Sequence, residues 1–241
     1  MVQQNIALQW DAKDQDSDHT VFIVDDDVAL RAALRGLFES IGLRVEEFAC
    51  ATDFVPQASG PSCLVLDVRL PGKSGLQFQA ELAKANIHIP IVFMTGHGDI
   101  EMSVRAMKAG AVEFLTKPFR EQEILDGVRA ALDRDRIRRT AESQFAAVRA
   151  RFETLTVRER EVAGLVATGL MNKQVGAELG IAEVTVKLHR MQAMRKLGAK
   201  SLADLIQMTN RLRAPRPPAA PSHGARYSGG RPSAGAAEDY R

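Results

Sequence analysis

The sequence predicts an α/β chain, in which a five-stranded, doubly wound parallel sheet is followed by a second, all-α domain. Five short apolar segments alternate with helical patterns over residues 20–133, and such alternation builds a parallel sheet with helices on both faces. Residues 153–212 carry only helical spacing. A length of 241 residues, of which 45% are hydrophobic, suffices for two cores.

Strands are predicted where a few apolar residues are bounded by turn signals. The third strand is apolar throughout, which indicates burial on both faces, and a Leu-Pro-Gly turn at 70–72 follows it. The predicted strands are 20–24, 45–48, 63–66, 90–94 and 112–115.

Helices are predicted between these strands. The first follows three aspartates and ends at Gly42. Its apolar face is formed by Leu30, Ala33, Leu34 and Leu37. The other helices of this domain are predicted at 51–58, 75–85 and 100–109, and a long helical stretch opens at Glu121.

The second half begins with a predicted linker helix over 134–152, for which a flexible linker is the alternative. Thr156 and Glu159 have the spacing of a capping box that opens the next helix, which ends at Ala167. Two further helices are predicted at 172–179 and 183–197, separated by a tight turn at Gly180. This arrangement is the signal of a helix-turn-helix, although many helical bundles share it.

The two ends of the chain lack apolar periodicity. Residues 1–19 and 213–241 are predicted to be disordered tails, the second because its Pro, Gly, Ser and Ala content buries too little apolar surface. Two cysteines give neither a disulfide framework nor metal-ligand spacing. No apolar run approaches the roughly 20 residues that span a bilayer. We therefore expect a cytoplasmic protein with no membrane partner.

Charge is distributed unevenly along the chain. Residues 1–135 carry 13 Lys/Arg against 21 Asp/Glu, a balance of −8, whereas residues 136–241 carry 19 against 9, a balance of +10. The asymmetry favours acidic chemistry in the first half and a polyanion, such as nucleic acid, as the partner of the second. A basic surface that binds nothing explains the charge about equally well.

Polar residues follow four of the five predicted strands. Asp25 and Asp26 follow the first strand, Asp67 the third, Thr95 the fourth and Lys117 the fifth. Because the carboxyl ends of parallel strands meet at one edge of the sheet, we expect these side chains to converge. An aspartate that only caps the next helix is the alternative for Asp67 alone, but it does not account for four strand ends.

The converging carboxylates indicate a cation, since clustered negative charges repel one another. Mg²⁺ takes oxygen ligands and is commonly held by one or two carboxylates plus a phosphate. A carboxylate also acts as a nucleophile toward phosphorus. Asp67, alone on the central strand, is the predicted nucleophile, and Asp25 and Asp26 are the predicted metal pair. Lys117 and Thr95 would then contact the phosphoryl oxygens.

These residues resemble the receiver domain of two-component response regulators, which has a flavodoxin-like fold. The resemblance implies that a histidine kinase phosphorylates Asp67. It also implies Mg²⁺ coordination by Asp26, Asp67 and the backbone carbonyl of Arg69, with Asp25 acting through water. The motifs that carry it are Val24-Asp25-Asp26, Leu66-Asp67, Leu70-Pro71-Gly72, Met94-Thr95-Gly96-His97-Gly98 and Lys117-Pro118-Phe119.

Other positions take their expected roles from this resemblance or from their residue type. Phe114 stands where receivers carry an aromatic switch residue, and Lys117-Pro118 where they carry a cis peptide. Gly96 and Gly98 would let the loop after the fourth strand rearrange. Asp27 is interpreted as the cap of the first helix rather than as a metal ligand.

The second half resembles the LuxR-type DNA-binding domain, and together the two halves resemble the FixJ/NarL-type transcriptional response regulators. Two positions depart from the family pattern. Ala182 stands where a Ser often caps the recognition helix, and Gly176 stands where Ala is favoured, so each is expected to weaken its helix by about 1 kcal/mol. The motifs are Leu155-Thr156-x-Arg158-Glu159-Arg160-Glu161, Gly169-x-x-Asn172-Lys173, Thr185-Val186-Lys187-x-His189 and Arg195-Lys196-Leu197.

The helix at 183–197 is the predicted recognition helix, which enters the major groove. Lys187 is the best candidate for reading bases, with apolar contacts from Leu188 and Met191. Lys173, Arg190 and Lys196 are candidate phosphate contacts, with a solvated surface charge as the alternative for each and the favoured interpretation for Lys196. The residues predicted to bind DNA are Asn172, Lys173, Val184, Thr185, Lys187, Leu188, Arg190 and Met191. Val186, Ala193 and Leu197 are predicted to face the core, and His189 to be packed.

The predicted function is a phosphorylation-controlled transcription regulator that is not an enzyme. Its expected partners are a histidine kinase, double-stranded DNA and, when phosphorylated, a second copy of the chain, and RNA polymerase is a further candidate. A hydrolase that uses Asp67 as nucleophile is the first alternative, although Arg69 stands where such enzymes usually have Asp. A signalling adaptor whose basic half binds protein is the second.

Overall fold

The computed structural model describes residues 19–96 and 100–213. The strands of its first unit are β1 (Thr20–Val24), β2 (Arg44–Phe48), β3 (Ser62–Asp67), β4 (Ile91–Thr95) and β5 (Glu113–Thr116). They form one sheet in the order β2-β1-β3-β4-β5, and every neighbouring pair is parallel. The predicted fold class is confirmed.

Helices cover this sheet and build the second unit. Over the described ranges they are α1 (Val28–Ser40), α2 (Gly75–Lys84), α3 (Ile100–Lys108), α4 (Glu121–Glu153), α5 (Val157–Val166), α6 (Asn172–Leu179), α7 (Glu183–Leu197) and α8 (Leu202–Arg213). The bounds of α6 and α7 agree with the prediction at both ends. The predicted tails lie outside the described residues, apart from Arg213 at the end of α8 and His19, which is buried and whose carbonyl accepts a hydrogen bond from the Arg44 amide.

The middle of the sheet is apolar on both faces. Every residue of β1, β3 and β4 is buried, as predicted for the third strand. One layer of core lies under α1 and α4, and the other lies under α2 and α3. In α1 the structure corrects the predicted apolar face, because Ala33 is exposed whereas Phe38 is buried. Phe38 lies one helical turn after the buried Leu34, so the two share the face that meets the sheet.

The predicted helix at 51–58 is wrong. Only Ala51–Asp53 is helical, as a single 3₁₀ turn, and Phe54 already has extended backbone angles. The Phe54 ring meets three other rings of the core edge-on at centroid distances of 5.4 to 5.6 Å. Pro56 lacks an amide hydrogen and disfavours helical angles at Val55. Core packing and proline together end the helix.

The long helix α4 is one element of 33 residues that belongs to both units. Near its middle, the buried Asp135 carboxylate accepts a hydrogen bond from the Ser62 amide at 2.9 Å and from Arg138 and Arg139 at 2.7 Å. Arg139 also donates to the loop before β3. Contacts of α4 with the first unit therefore reach Arg139, within the predicted linker helix. At the other end of α4, Phe152 packs against the core of the second unit.

The capping box predicted for the second unit is present. Thr156 Oγ1 accepts a hydrogen bond from the Glu159 amide at 3.3 Å, and Glu159 Oε2 accepts one from the Thr156 amide at 2.7 Å. Gly180 ends α6 with a φ of 66°, which favours glycine. Helices α5 to α8 enclose a separate core that includes Val162, Val175 and Leu205.

Candidate functional site

The carboxyl edge of the sheet brings together the polar residues predicted from the strand ends. Asp25 follows β1, Asp67 and Thr95 are the last residues of β3 and β4, and all three are buried. Asp26 is exposed beside them. Carboxylate oxygens of Asp25, Asp26 and Asp67 all lie within 4.8 Å of one another. The predicted convergence is confirmed for these residues.

Lys117 supplies a cation to this cluster. Its ammonium lies 2.7 Å from Asp25 Oδ2 and 3.5 Å from Asp67 Oδ2. The Lys117 amide donates to the carbonyl oxygen of Thr95 at 2.7 Å, which fixes the chain after β5 against the end of β4. The peptide bond to Pro118 is cis, as the resemblance implied. One positive charge therefore faces two of the three carboxylates.

The Asp67 carboxyl group is under opposing influences. Burial raises its pKa above the ordinary value, whereas the charge of Lys117 lowers it, the charge of Asp25 raises it and the amide of the exposed Arg69 lowers it. Asp67 Oδ1 is buried and has no hydrogen-bond partner within the described residues. An unpartnered buried oxygen in an all-oxygen cluster fits a small hard cation such as Mg²⁺.

Asp27 and Arg31 hold the first acidic residues in place. Asp27 Oδ1 accepts hydrogen bonds from the amides of Ala29 and Leu30 at 2.9 and 3.1 Å, so Asp27 caps α1, as interpreted from the sequence. The Asp27 amide donates to Asp25 Oδ1 at 2.9 Å. Arg31 Nη1 donates to the backbone oxygen of Asp25 at 2.6 Å, a contact that the sequence analysis missed. In the sequence, the only feature that could have indicated this contact was an arginine in the first turn of the predicted helix.

Gly75 brings α2 directly onto the backbone of Asp67. A Cβ atom at this position would collide with the Asp67 carbonyl oxygen. The Gly75 amide donates to the carbonyl oxygen of Val68 at 2.9 Å, and Ser74 caps the helix through a box with Gln77. The sequence analysis placed position 75 only as the start of the predicted helix 75–85. Its further role is to let the helix approach the strand that carries the acceptor.

The predicted switch residue Phe114 is half-buried on β5. Its ring centroid lies 6.2 Å from that of Phe93, and it packs at the margin of the core under α2 and α3. Thr95 is fully buried on the neighbouring strand. Gly96 is exposed, whereas Gly98 lies outside the described residues.

The two faces predicted for α7 agree with its burial. Val186, Ala193 and Leu197 are buried in the core of the second unit. Val184, Leu188 and Met191 are 72%, 46% and 61% exposed, although all three are apolar. Lys187 is also exposed, and Thr185 is half-buried. Exposed apolar side chains beside a lysine are suited to contacts with base edges in a groove.

The basic residues near α7 differ in their partners. Arg190 Nη1 donates to Asn172 Oδ1 at 3.2 Å across the two helices of the turn. The Lys187 ammonium lies 3.2 Å from Glu183 Oε1, one turn earlier, and Lys173 is exposed. The Nδ1 atom of His189 is buried and has no hydrogen-bond partner among residues 19–96 and 100–213, and the residue as a whole is half-buried.

Lys196 has an internal partner, which removes it from the candidate phosphate contacts. Its ammonium lies 2.7 Å from Glu159 Oε2 and also donates to the carbonyl of Thr154. Burial of Glu159, which is 2% exposed, acts to raise its pKa, but Lys196 and Thr156 hold that pKa below its ordinary value. The pair fixes α5 to the end of α7.

The two departures from the family pattern have different outcomes. Ala182 is the N-cap of α7 and offers no side-chain acceptor, as expected. The interpretation of Gly176 as a weak helix residue needs correction. A Cβ atom there would lie 2.7 Å from the Ile181 carbonyl oxygen, so the turn would have to move to accept Ala. Close packing of the turn, rather than helix propensity, governs this position.

Comparisons with known proteins agree with both units. Two family models match: the response regulator receiver domain over residues 21–129 and the luxR family of bacterial regulatory proteins over residues 153–209. The chain is 60% identical over 195 residues to "Nodulation protein W" of Bradyrhizobium diazoefficiens, covering 80% of this chain and 86% of that protein. It is 41% identical over 192 residues to "Transcriptional regulatory protein FixJ" of Azorhizobium caulinodans, covering 78% and 90%. The solved structure of the response regulator StyR matches with a TM-score of 0.71 and 49% identity, over 81% of this chain and 100% of that one.

No helix within the described ranges combines the length and apolar character needed to cross a membrane. The receiver domain implies a histidine kinase as partner, and the luxR-family domain implies DNA. The sheet with its acidic edge, the helix-turn-helix and the matches to both families lead to one conclusion. The chain belongs to the two-component response regulators that regulate transcription through a LuxR-type DNA-binding domain.

Proposed function

We propose that Asp67 is the phosphoryl acceptor of the receiver domain. The observation that carries this proposal is the position of the Lys117 ammonium, which faces both Asp25 and Asp67 at 2.7 and 3.5 Å. A fixed cation beside a buried carboxylate is the arrangement needed to receive a dianionic group. Asp26 is exposed, and Asp25 already accepts a hydrogen bond from Lys117. Neither therefore offers a buried carboxylate that is available to a phosphoryl group.

In the proposed reaction, a carboxylate oxygen of Asp67 attacks the phosphorus of a phosphohistidine on the kinase. An O–P bond forms as the N–P bond breaks, and the imidazole nitrogen keeps the electron pair and takes up a proton. Lys117 remains protonated and attracts the phosphoryl oxygens, while the Thr95 hydroxyl donates to one of them. Mg²⁺, when bound, offsets the negative charge of the incoming group.

Asp26, Asp67 and the carbonyl of Arg69 are the proposed metal ligands, with Asp25 acting through water. The clustering of the three carboxylates within 4.8 Å supports this set. Asp25 is the least available of them for direct coordination, because its oxygens already accept from Lys117 and from the Asp27 amide. Asp27 is excluded from the set, since its carboxylate caps α1.

Thr95 and Phe114 are the proposed switch. Their strands are adjacent, with Phe93 paired to Phe114 and Thr95 paired to Thr116. A phosphoryl group on Asp67 that draws the Thr95 hydroxyl toward it would open space beside β5, and the half-buried Phe114 ring is the side chain placed to fill it.

The proposed DNA interface is the exposed face of α7 with the start of α6. Lys187 would read base edges, with Val184, Leu188 and Met191 in apolar contact, and Thr185 at the margin. Lys173 and Arg190 would meet the phosphate backbone, and Asn172 belongs to the same interface through its hydrogen bond with Arg190. The exposure of three apolar side chains, Val184, Leu188 and Met191, within about two turns of helix supports this assignment.

The proposed working protein is a phosphorylated homodimer on DNA, acting in the cytoplasm and contacting RNA polymerase. It is proposed to have no enzymatic role beyond accepting the phosphoryl group. Its receiver spans about 20–133, a linker helix 134–152 and the DNA-binding domain 153–212. The continuity of α4 across this linker supports a mechanical connection between the two domains.

Phosphoryl labelling tests the acceptor. Full-length protein incubated with acetyl phosphate and Mg²⁺ should gain one acid-labile, base-labile phosphoryl group, detected by mass spectrometry. Asp67→Asn should gain none. The control is Asp126→Asn, which changes an exposed carboxylate on α4 and should label like the wild type. Labelling of Asp67→Asn to the wild-type extent would reject the assignment.

A further inference from the structure

A side-chain hydrogen bond between Asn172 and Arg190 joins the start of α6 to the proposed recognition helix, α7. Asn172 is the first residue of α6, and Arg190 lies within α7, 18 positions later. The donor is Arg190 Nη1, the acceptor is Asn172 Oδ1, and the distance is 3.2 Å. Both residues are half-buried, so the contact lies at the margin of the proposed DNA face rather than in the core.

Arg190 is placed next to the side chains proposed to read DNA. In an α-helix, residues three positions apart, such as Lys187 and Arg190, are neighbours on the surface. Lys187 and Met191 are exposed. A guanidinium group has five N–H donors, and the bond to Asn172 uses one of them, which leaves donors for a phosphate.

The acceptor of this bond is neutral, and this distinguishes Arg190 from Lys187. The Lys187 ammonium has a carboxylate partner, Glu183, at 3.2 Å, which offsets its charge. The Asn172 amide fixes the guanidinium without removing any of its positive charge. A long side chain that is already held in place loses less conformational freedom when it meets its ligand.

From this geometry we propose that Asn172 is a positioning residue, which holds the Arg190 guanidinium ready for a DNA phosphate. The proposal rests on the DNA interface proposed above and deepens it. Asn172 then acts through Arg190 instead of making its own contact with DNA. Its contribution to affinity depends on Arg190 being present.

A double-mutant cycle tests this on the full-length phosphorylated protein. The probe is a duplex selected by the wild-type protein from a random pool, and affinity is measured at several salt concentrations. Arg190→Ala should lower affinity on the order of tenfold and reduce the salt slope by about one. Asn172→Ala should lower affinity by about threefold to tenfold, the range expected for fixing one long side chain, and leave the salt slope unchanged. In the Arg190→Ala background, Asn172→Ala should have no further effect.

Two matched variants sharpen the test. Asn172→Asp keeps an acceptor at the same place but adds a negative charge, so it should reduce the salt slope as Arg190→Ala does. Lys173→Ala removes the neighbouring cation, and its effect should multiply with that of Asn172→Ala. Thermal unfolding identifies any variant whose loss is one of folding.

An equal loss from Asn172→Ala in both backgrounds would overturn the proposal, because it would indicate a direct DNA contact or a structural role. Unchanged affinity of Asn172→Ala in the wild-type background would also overturn it, as would an Asn172→Asp protein that binds like the wild type. A wild-type protein that selects no duplex would instead reject the DNA interface, and the positioning role with it.

Discussion

At the scale of single residues, the acidic edge is governed by how each carboxylate is partnered. Asp25 accepts from Lys117 and from a backbone amide, Asp27 caps α1, and Asp67 retains one buried oxygen without a described partner. Among the three clustered carboxylates of Asp25, Asp26 and Asp67, only that of Asp26 is exposed. Three adjacent aspartates in the sequence therefore have three separate roles.

This division predicts which aspartate binds metal. Asp26→Asn should lower Mg²⁺ affinity at least about tenfold, because it removes a charged ligand from the cluster. Asp27→Asn should keep affinity, since Asn also caps helices. Titration with Mg²⁺ followed by NMR of the two proteins makes the comparison. Equal losses in both variants would contradict the proposed ligand set.

Single-residue roles were predictable from the sequence where a topological rule applies. Asp25, Asp67, Thr95 and Lys117 could be placed together because parallel strands share one carboxyl edge. The close approach of Gly75 to Asp67 could not be predicted, because it depends on the distance between two segments of backbone. The same reason explains why the ion pair that engages Lys196 was missed.

At the scale of elements, the start of α7 lacks the side-chain cap that would stabilise its first turn. Its N-cap is Ala182, which has extended backbone angles but no side-chain acceptor. Ala182→Ser should raise the free energy of unfolding of the second unit by about 1 kcal/mol, because the hydroxyl would accept a hydrogen bond from an amide of the first turn. Urea unfolding of the wild type and the variant measures the change, and an unaltered or lower stability would contradict it.

The contact between α5 and α7 predicts a dependence on pH. The pKa of Glu159 is lowered in the folded state, so its contribution to stability is present above the ordinary value of 4.5 and is lost as the pH falls through the folded pKa. Glu159→Gln should therefore cost about 2 kcal/mol near neutral pH. The difference from the wild type should shrink in acid. Urea unfolding at about pH 7 and about pH 3.5 tests the sign, and a difference that grows in acid would contradict it.

Element positions were largely predictable, and the exceptions have physical causes. The observed strand ends differ from the predicted ones where pairing with a neighbouring strand extends beyond the apolar run. At the end of β5, for example, Thr116 pairs with Thr95. The helix predicted at 51–58 failed because Phe54 packs among other rings of the core and Pro56 removes a donor. Local pattern alone contains neither the ring contacts nor the neighbouring strand.

At the scale of the whole molecule, an acidic unit and a basic unit share one helix. The hydrogen bond from the Ser62 amide to Asp135 fixes α4 to the start of β3, and Phe152 packs the other end of α4 against the core of the second unit. The charge asymmetry of the two halves was evident from the sequence. That α4 is continuous over 33 residues was not, because both a helix and a flexible linker suited its polar composition.

The central claim is that phosphorylation of Asp67 raises DNA affinity by producing a dimer. Linking two weakly binding helix-turn-helix units makes the second contact intramolecular, which raises avidity by about 10² to 10⁴ without new contacts in either half-site. The half-sites should lie about one helical turn apart. The gain should be absent on DNA with a single half-site.

The most direct test is the affinity of full-length protein, at one fixed salt concentration, for duplexes with one and with two half-sites. It is measured with and without acetyl phosphate and Mg²⁺, alongside the molar mass in solution. We predict a phosphorylated dimer that gains affinity only on the two-site duplex, and an Asp67→Asn protein that gains none. An unchanged mass and affinity on phosphorylation, or an equal gain on the single-site duplex, would contradict the account.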